Sequence, residues 1–256
     1  MVERKVAFIT GASRGIGRAV AVAAASMDYD FFLTGRNESA LEETVKVVRK
    51  AAAKAANDND KSRFGCGEGP LIVLHTEDLS CPEAAERLFE AFSRSFDRLD
   101  LLVNNAGIVG AKPVGDYSPD DWEHIMNINA RAPFFLMQYS IPLLKKADPG
   151  FIINIGSVVA HKGYENQALY SASKHALLGY TKATAREFKE TNIRIHAINP
   201  GGVNTDLVKS VRPDIDTTDM ISPEEIAETV KFLLRMKGNA MIDEISVRRR
   251  TKKPWD

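Results

Sequence analysis

Short, nearly unbroken apolar runs recur along this chain, at residues 5–10, 30–34, 71–75, 99–104, 151–157, 193–198 and 242–247. A strand with one wet face alternates apolar and polar side chains; a strand covered on both faces does not. Between the runs lie stretches of helical composition at 15–27, 38–56, 82–95, 133–146, 168–190 and 223–236, the last behind the cap residue Ser222. Strands and helices in strict alternation specify a parallel sheet with helices on both faces. The expected fold is therefore α/β and doubly wound, with a mainly parallel sheet of about seven strands. No repeat period and no Pro/Gly/Ser linker divides the 256 residues, so residues 1–256 are expected to form a single domain.

Composition removes several function classes. Hydrophobic residues make up 44% and charged residues 27%, ordinary for a soluble globular protein. Lys+Arg and Asp+Glu both number 34, so no global field favours nucleic acid or an anionic membrane. No apolar run approaches the roughly 18 residues that span a bilayer. The opening MVERKVAFIT lacks a signal-peptide core. Two cysteines, Cys66 and Cys81, are too few for a disulfide framework, and a reduced, cytoplasmic protein is the default expectation. Cys66 and His75 lack metal-ligand spacing, so no metal is expected.

Two stretches break the pattern. Residues 57–70 carry an alanine-rich helix into a polar, glycine-bearing surface extension. The tail at 248–256 is basic. A nucleic-acid patch is one reading of it; a solvated terminus is the plainer one, since aromatic residues are not interleaved with the cations.

Chemistry concentrates in a few places. TGASRGIG, from Thr10 to Gly17, follows a strand and opens a helix, the context that turns a glycine pattern into a phosphate site. Gly11 permits the turn, and Gly15 and Gly17 allow close approach. Ser13, Arg14 and Ile16 complete the loop. A plain strand-to-helix turn is the alternative. The second strand ends in Gly35-Arg36, where a fold of this kind selecting an unphosphorylated ribose often carries a carboxylate. Arg36 and Arg14 suit a 2′-phosphate, although either could be a surface charge. NNAG ends the fourth strand with Asn105, Ala106 and Gly107, and Ser157 ends the fifth. Each alone could be a turn or a cap. Tyr170 and Lys174, in YSASK, stand one helical turn apart and share a face. A cation beside a phenol favours the phenolate and lowers a pKa that is ordinarily ~10, which makes tyrosine usable as an acid or base.

Taken together, TGASRGIG, NNAG, Ser157, Tyr170-x-x-x-Lys174 and NPGGVNTD resemble the short-chain dehydrogenase/reductase family from Lys5 to about Val247. The resemblance implies a Rossmann-type domain and an NADP(H)-dependent oxidoreductase acting on small carbonyl or alcohol substrates. It places the family's catalytic tyrosine, lysine, serine and asparagine on Tyr170, Lys174, Ser157 and Asn129. In such enzymes the asparagine supports a water that relays protons to the lysine. The adenine contact falls on Asp78 and Leu79, and the nicotinamide end on Pro200, Gly201, Val203 and Thr205. A homodimer or homotetramer is implied, paired through the helices at 133–146 and 168–190. Possible substrates are a 3-oxoacyl thioester or a broad range of carbonyls.

There are departures from the family pattern. The extension at 57–70 is long, the segment from Thr205 to Ser222 is short for a substrate lid, and the chain ends in IDEISVRRR rather than in a glycine-ending strand. A non-catalytic NADP(H) sensor is the rival class, one with no need of an intact Ser–Tyr–Lys set. The arginine reading makes a prediction of its own. Arg36→Ala is expected to raise the KM for NADPH about ten- to a hundredfold and to leave that for NADH nearly unchanged. Equal losses for the two cofactors would reject the 2′-phosphate role.

Overall fold

The computed structural model describes residues 4–58, 69–211 and 214–254. Residues 59–68, the body of the expected extension and the location of Cys66, lie outside the described residues, as do the last two residues of the basic tail. In chain order the elements are β1 (Lys5–Thr10), α1 (Gly15–Ala24), β2 (Tyr29–Gly35), α2 (Glu38–Asp58), β3 (Ile72–Thr76), α3 (Ala84–Ser93), β4 (Leu101–Asn104) and α4 (Pro119–Met126). A π-helical segment, Asn127–Arg131, then leads into α5 (Ala132–Leu144), followed by β5 (Gly150–Ile155), α6 (Ala168–Glu187), β6 (Ile193–Pro200), α7 (Asp206–Val211), α8 (Pro223–Arg235) and β7 (Glu244–Val247).

The seven strands form one sheet in the order β3-β2-β1-β4-β5-β6-β7, and every pairing is parallel. From β1 the chain winds outward to one edge. It then crosses to the other side of β1 as β4 and winds outward to the opposite edge. The winding reverses between β1 and β4, and ligands of open α/β sheets bind in the crevice at the carboxyl ends of the strands at such a point.

Side-chain alternation along each strand feeds two separate cores. Ala7, Ile9, Leu101, Val103, Phe151 and Ile153 face one side, against α1, α2 and α8. Val6, Phe8, Leu102 and Ile152 face the other, against α3 and α5. Helix α8 buries Ile226, Ala227, Val230, Leu233 and Leu234, and α3 buries Ala84, Ala85, Leu88 and Phe92, each a single stripe at helical spacing. Phe92 stacks on Phe8 with centroids 5.3 Å apart. Each such side chain stabilises the fold by roughly 1.5–3 kcal/mol. Burial on both faces is why the strands read as continuous apolar runs. None of the described helices is long and apolar enough to cross a membrane.

The expected elements are present, with ends moved by a few residues. Pro82 lies in the turn before α3, which is closed by the Ala84 N–H bonding back to the Cys81 carbonyl. Helix α4 and the π-helical segment were not expected. Helix α4 buries only Ile125, so it presents no apolar stripe to read. Its start was nonetheless written in the sequence, since Ser118 and Asp121 form a reciprocal capping box with Pro119 at the first helical position.

The turn from β1 into α1 is tight. A Cβ on Gly17 would overlap the carbonyl oxygen of Gly11 and come within 2.6 Å of Asn105 Nδ2. Gly17→Ala is therefore expected to destabilise the fold by about 1–3 kcal/mol, which lowers the melting temperature by several degrees in a thermal scan. An unchanged melting temperature would mean that the turn is slacker than described.

Candidate active site

The turn after β1 is fastened to β4 from below. Thr10 Oγ1 donates to the Val103 carbonyl at 3.3 Å and accepts from the backbone N–H groups of Asn105 and Ala106 at 3.0 and 3.1 Å. Asn105 Nδ2 donates to the carbonyls of Thr10 and Gly11 at 2.9 and 3.1 Å. Gly11 and Gly15 take positive φ values of 64° and 55°. Helix α1 begins at Gly15, so its unpaired N–H groups and positive dipole end face the cleft. Gly11, Ser13, Arg14, Gly15 and Ile16 line that cleft, together with Asn105, Ala106 and Gly107. Gly17 does not. It packs behind the turn, against the Gly11 carbonyl and the Asn105 amide, where its missing Cβ lets α1 approach.

One end of the cleft is lined by Gly35, Arg36, Asp78 and Leu79. The Ser80 backbone N–H, 3.0 Å from Asp78 Oδ1, holds the Asp78 carboxyl below its usual range against the effect of burial, and Arg36 adds to the lowering. Arg14 donates to Asp206 Oδ2 at 3.0 Å, and both side chains are largely exposed. An exposed pair of this kind contributes ~0–1 kcal/mol, little enough for Arg14 to turn to a phosphate instead.

Elsewhere in the cleft lie Ser157, Tyr170, Lys174, Pro200, Gly201, Val203 and Thr205. Ser157 follows β5 in extended conformation and caps a short 3-10 turn, Val158–Ala160. Tyr170 and Lys174 stand one turn apart on the buried face of α6. The Ser157 hydroxyl lies near enough to the Tyr170 phenol to favour its ionised form, and Lys174 Nζ donates to the Ile155 carbonyl at 3.0 Å. The three side chains thus come from two elements and meet in one place. Asn129 stands behind them in the π-helical segment. Its amide accepts from Ile108 N–H at 2.9 Å and donates to the Ile108 carbonyl at 2.8 Å and to Ser173 Oγ at 3.0 Å. It clamps the loop after β4 onto α6, and it is not among the residues lining the cleft.

The electrostatics correct one expectation. Lys174 was expected to lower the Tyr170 pKa. Burial instead raises it, with the Ser157 hydroxyl opposing, and the ammonium is engaged by the Ile155 carbonyl. A raised pKa leaves the phenol protonated at neutral pH, the state that a proton donor needs. Burial lowers Lys174 to about 8, so at pH 7 roughly ten ammonium groups stand for every amine.

Reasoning from the sequence missed Ile108, Ile155, Leu207 and Val208, which also line the cleft. Leu207 and Val208 belong to α7, a six-residue helix whose place over the cleft depends on loop geometry. The donors present suit a dinucleotide. Backbone N–H groups and a helix end lie at the centre, two arginines are available for a phosphate, and an ammonium stands by a bare glycine. A Cβ on Gly107 would lie 3.5 Å from Lys174 Nζ and 3.3 Å from Asn129 Oδ1.

Comparison with known proteins agrees with this layout. The short chain dehydrogenase family matches residues 5–216. A 3beta-hydroxysteroid dehydrogenase of Mediterraneibacter gnavus is 36% identical over 241 residues, covering 94% of this chain and 79% of its own. A 3-oxoacyl-[acyl-carrier-protein] reductase of Aquifex aeolicus is 32% identical, covering 95% of each. The solved alcohol dehydrogenase from the archaeon Thermococcus sibiricus, complexed with 5-hydroxy-NADP, superimposes with a TM-score of 0.83 at 25% identity, covering 98% of this chain and 99% of its own. The chain belongs to the short-chain dehydrogenase family and is an oxidoreductase working with a nicotinamide cofactor.

The depressed Lys174 pKa sets a pH limit. Its ammonium is present below about 8 and is lost above it. The kcat/KM for cofactor, which reports the free enzyme, is expected to fall as pH rises through that value. A profile flat to pH 10 would show that the charge is not used.

Proposed function

We propose that the protein is an NADPH-dependent reductase of ketone or aldehyde carbonyls, reversible as an alcohol dehydrogenase. The observation that carries this reading is the convergence of the buried Ser157, Tyr170 and Lys174 on one cleft. When bound, the nicotinamide supplies the hydride that reduces the carbonyl carbon.

The protein's own groups do the rest. Negative charge grows on the substrate oxygen as its carbon is reduced. Tyr170 gives that oxygen a proton, and Ser157 donates a second hydrogen bond to it. Held protonated by burial, the phenol stores the proton until then. The Lys174 ammonium, held by the Ile155 carbonyl, adds positive charge to the cleft and favours an anionic cofactor there. Asn129 keeps Ile108 and α6 in register. Arg36 and Arg14 would hold the 2′-phosphate of a bound cofactor, which would favour NADPH over NADH.

Ile108, Leu207 and Val208 give the cleft apolar walls, which suits a ketone with an apolar flank, whether a 3-oxoacyl thioester or a more general carbonyl compound. Pairing of protomers through α5 and α6 belongs to the same proposal. Phe134 remains 38% exposed on α5 and packs edge-on against Tyr180 of α6 at 5.3 Å, an aromatic surface suited to a second copy. A cytoplasmic location, expected from the sequence, completes the picture.

The deciding experiment is NADPH oxidation over β-ketoacyl thioesters, aromatic ketones, quinones and sugar ketones. At least one class is expected to turn over. Tyr170→Phe is expected to lower kcat by at least about 10²-fold while NADPH still binds, as followed by cofactor fluorescence. Wild-type protein that bound NADPH and reduced none of these would instead be a cofactor sensor.

A further inference from the structure

The hydrogen bonds that hold Ser157 reach into the last strand. Strands β5 and β6 pair through Ile155 and Ile198, and the next N–H, that of Gly156, still donates to the Ile198 carbonyl at 2.8 Å. The Ser157 N–H then donates to a side chain, Asn199 Oδ1, at 3.2 Å. The fully buried Asn199 amide thus carries the ladder one residue further, to the serine itself. Gly156 must be bare for this, since a Cβ on it would overlap Asn199 Oδ1.

An amide has two faces of opposite character, and something must choose between them. Asn199 Nδ2 donates to Glu244 Oε1 on β7 at 2.7 Å. An ionised carboxylate can only accept, so it holds the NH₂ toward itself and leaves Oδ1 toward Ser157. The carboxylate is itself fixed from two further elements. His161, just past the turn that Ser157 caps, bonds the same oxygen, and Lys182 of α6 faces Oε2 at 3.4 Å. Burial works to raise the Glu244 pKa, but the His161 and Lys182 contacts and the Asn199 hydrogen bond together hold it below the ordinary range, so the group is ionised at neutral pH. None of these four side chains is among the residues lining the cleft.

We propose that Glu244 is a positioning residue for the Ser157 donor, acting through the orientation of the Asn199 amide. This rests on the carbonyl-reductase reading above. If Glu244 is lost, only the His161 ring, with Nε2 at 3.5 Å from Asn199 Nδ2, still opposes a turn of the amide; once turned, its NH₂ faces the Ser157 N–H and the serine's peptide loses its anchor.

Two readouts test the proposal. In Glu244→Ala, kcat is expected to fall about five- to tenfold, with NADPH affinity held within about twofold. Glu244→Gln, which keeps an acceptor for Asn199 Nδ2, is expected to recover most of the rate. Exchange of the Ser157 amide hydrogen, followed by NMR with NADPH bound, is expected to quicken in Glu244→Ala and not in Glu244→Gln. Unchanged kcat in Glu244→Ala, or equal losses in the two variants, would overturn the idea. Should Glu244→Ala not fold, the isosteric Asn199→Asp takes its place, since it sets two acceptors against each other. It is expected to lose at least as much rate, and an undiminished kcat would reject the proposal. If the wild type reduced no carbonyl, the proposed function would fail by itself. Amide exchange would still judge the positioning, and unaltered exchange would overturn it.

Discussion

Strands β1 and β4 lie more than ninety residues apart in the chain, and their pairing creates the crevice on which everything else depends. Ile9 pairs with Val103, and just beyond that pair Asn105 donates two hydrogen bonds across the gap to Thr10, from its backbone N–H and from its side-chain amide. The Asn105 amide donates to two backbone carbonyls of the glycine turn, and a carbonyl left without a donor at such depth would cost about 1–3 kcal/mol. The turn is thereby held rigid before any ligand arrives. Preorganisation of this kind reduces the ordering that binding would otherwise require.

The other end of the cleft rests on a second convergence. Strand β5 delivers Ser157, α6 delivers Tyr170 and Lys174, and the π-helical segment delivers Asn129. Each of these side chains is largely buried, and Lys174 and Asn129 are each tied to a partner on another element. A π-helical bulge inside an otherwise α-helical run is a recurrent mark of functional sites. Here it sets the Asn129 amide where it can bond both Ile108 and Ser173.

Much of this was legible in the sequence. Unbroken runs such as residues 101–103 and 151–153 announced a doubly covered sheet, and YSASK placed a phenol and an ammonium on one helical face. What stayed hidden was of two kinds. Helix α4 has almost no buried face, so periodicity was silent and only its capping box spoke. The direction of the Tyr170 shift depends on how deeply the phenol is buried and where the Lys174 ammonium points, and spacing along a helix decides neither. Contacts such as Glu244 with Asn199 join positions far apart in the chain, and nothing local in either segment marks them as partners.

A lysine held at a pKa of about 8 is also a statement about folding. The unfolded chain keeps that proton up to about 10.4, so it binds protons more readily than the native state over the interval between the two values. Below about pH 8 both states are charged, and the native state carries the full penalty of the buried ammonium, on the order of 3 kcal/mol. The penalty fades as pH climbs toward the unfolded value. At neutral pH the protein therefore carries an unfavourable charge within its own cleft, and any anionic ligand seated beside that ammonium returns part of the lost stability, so that loading the site and tightening the fold become one event.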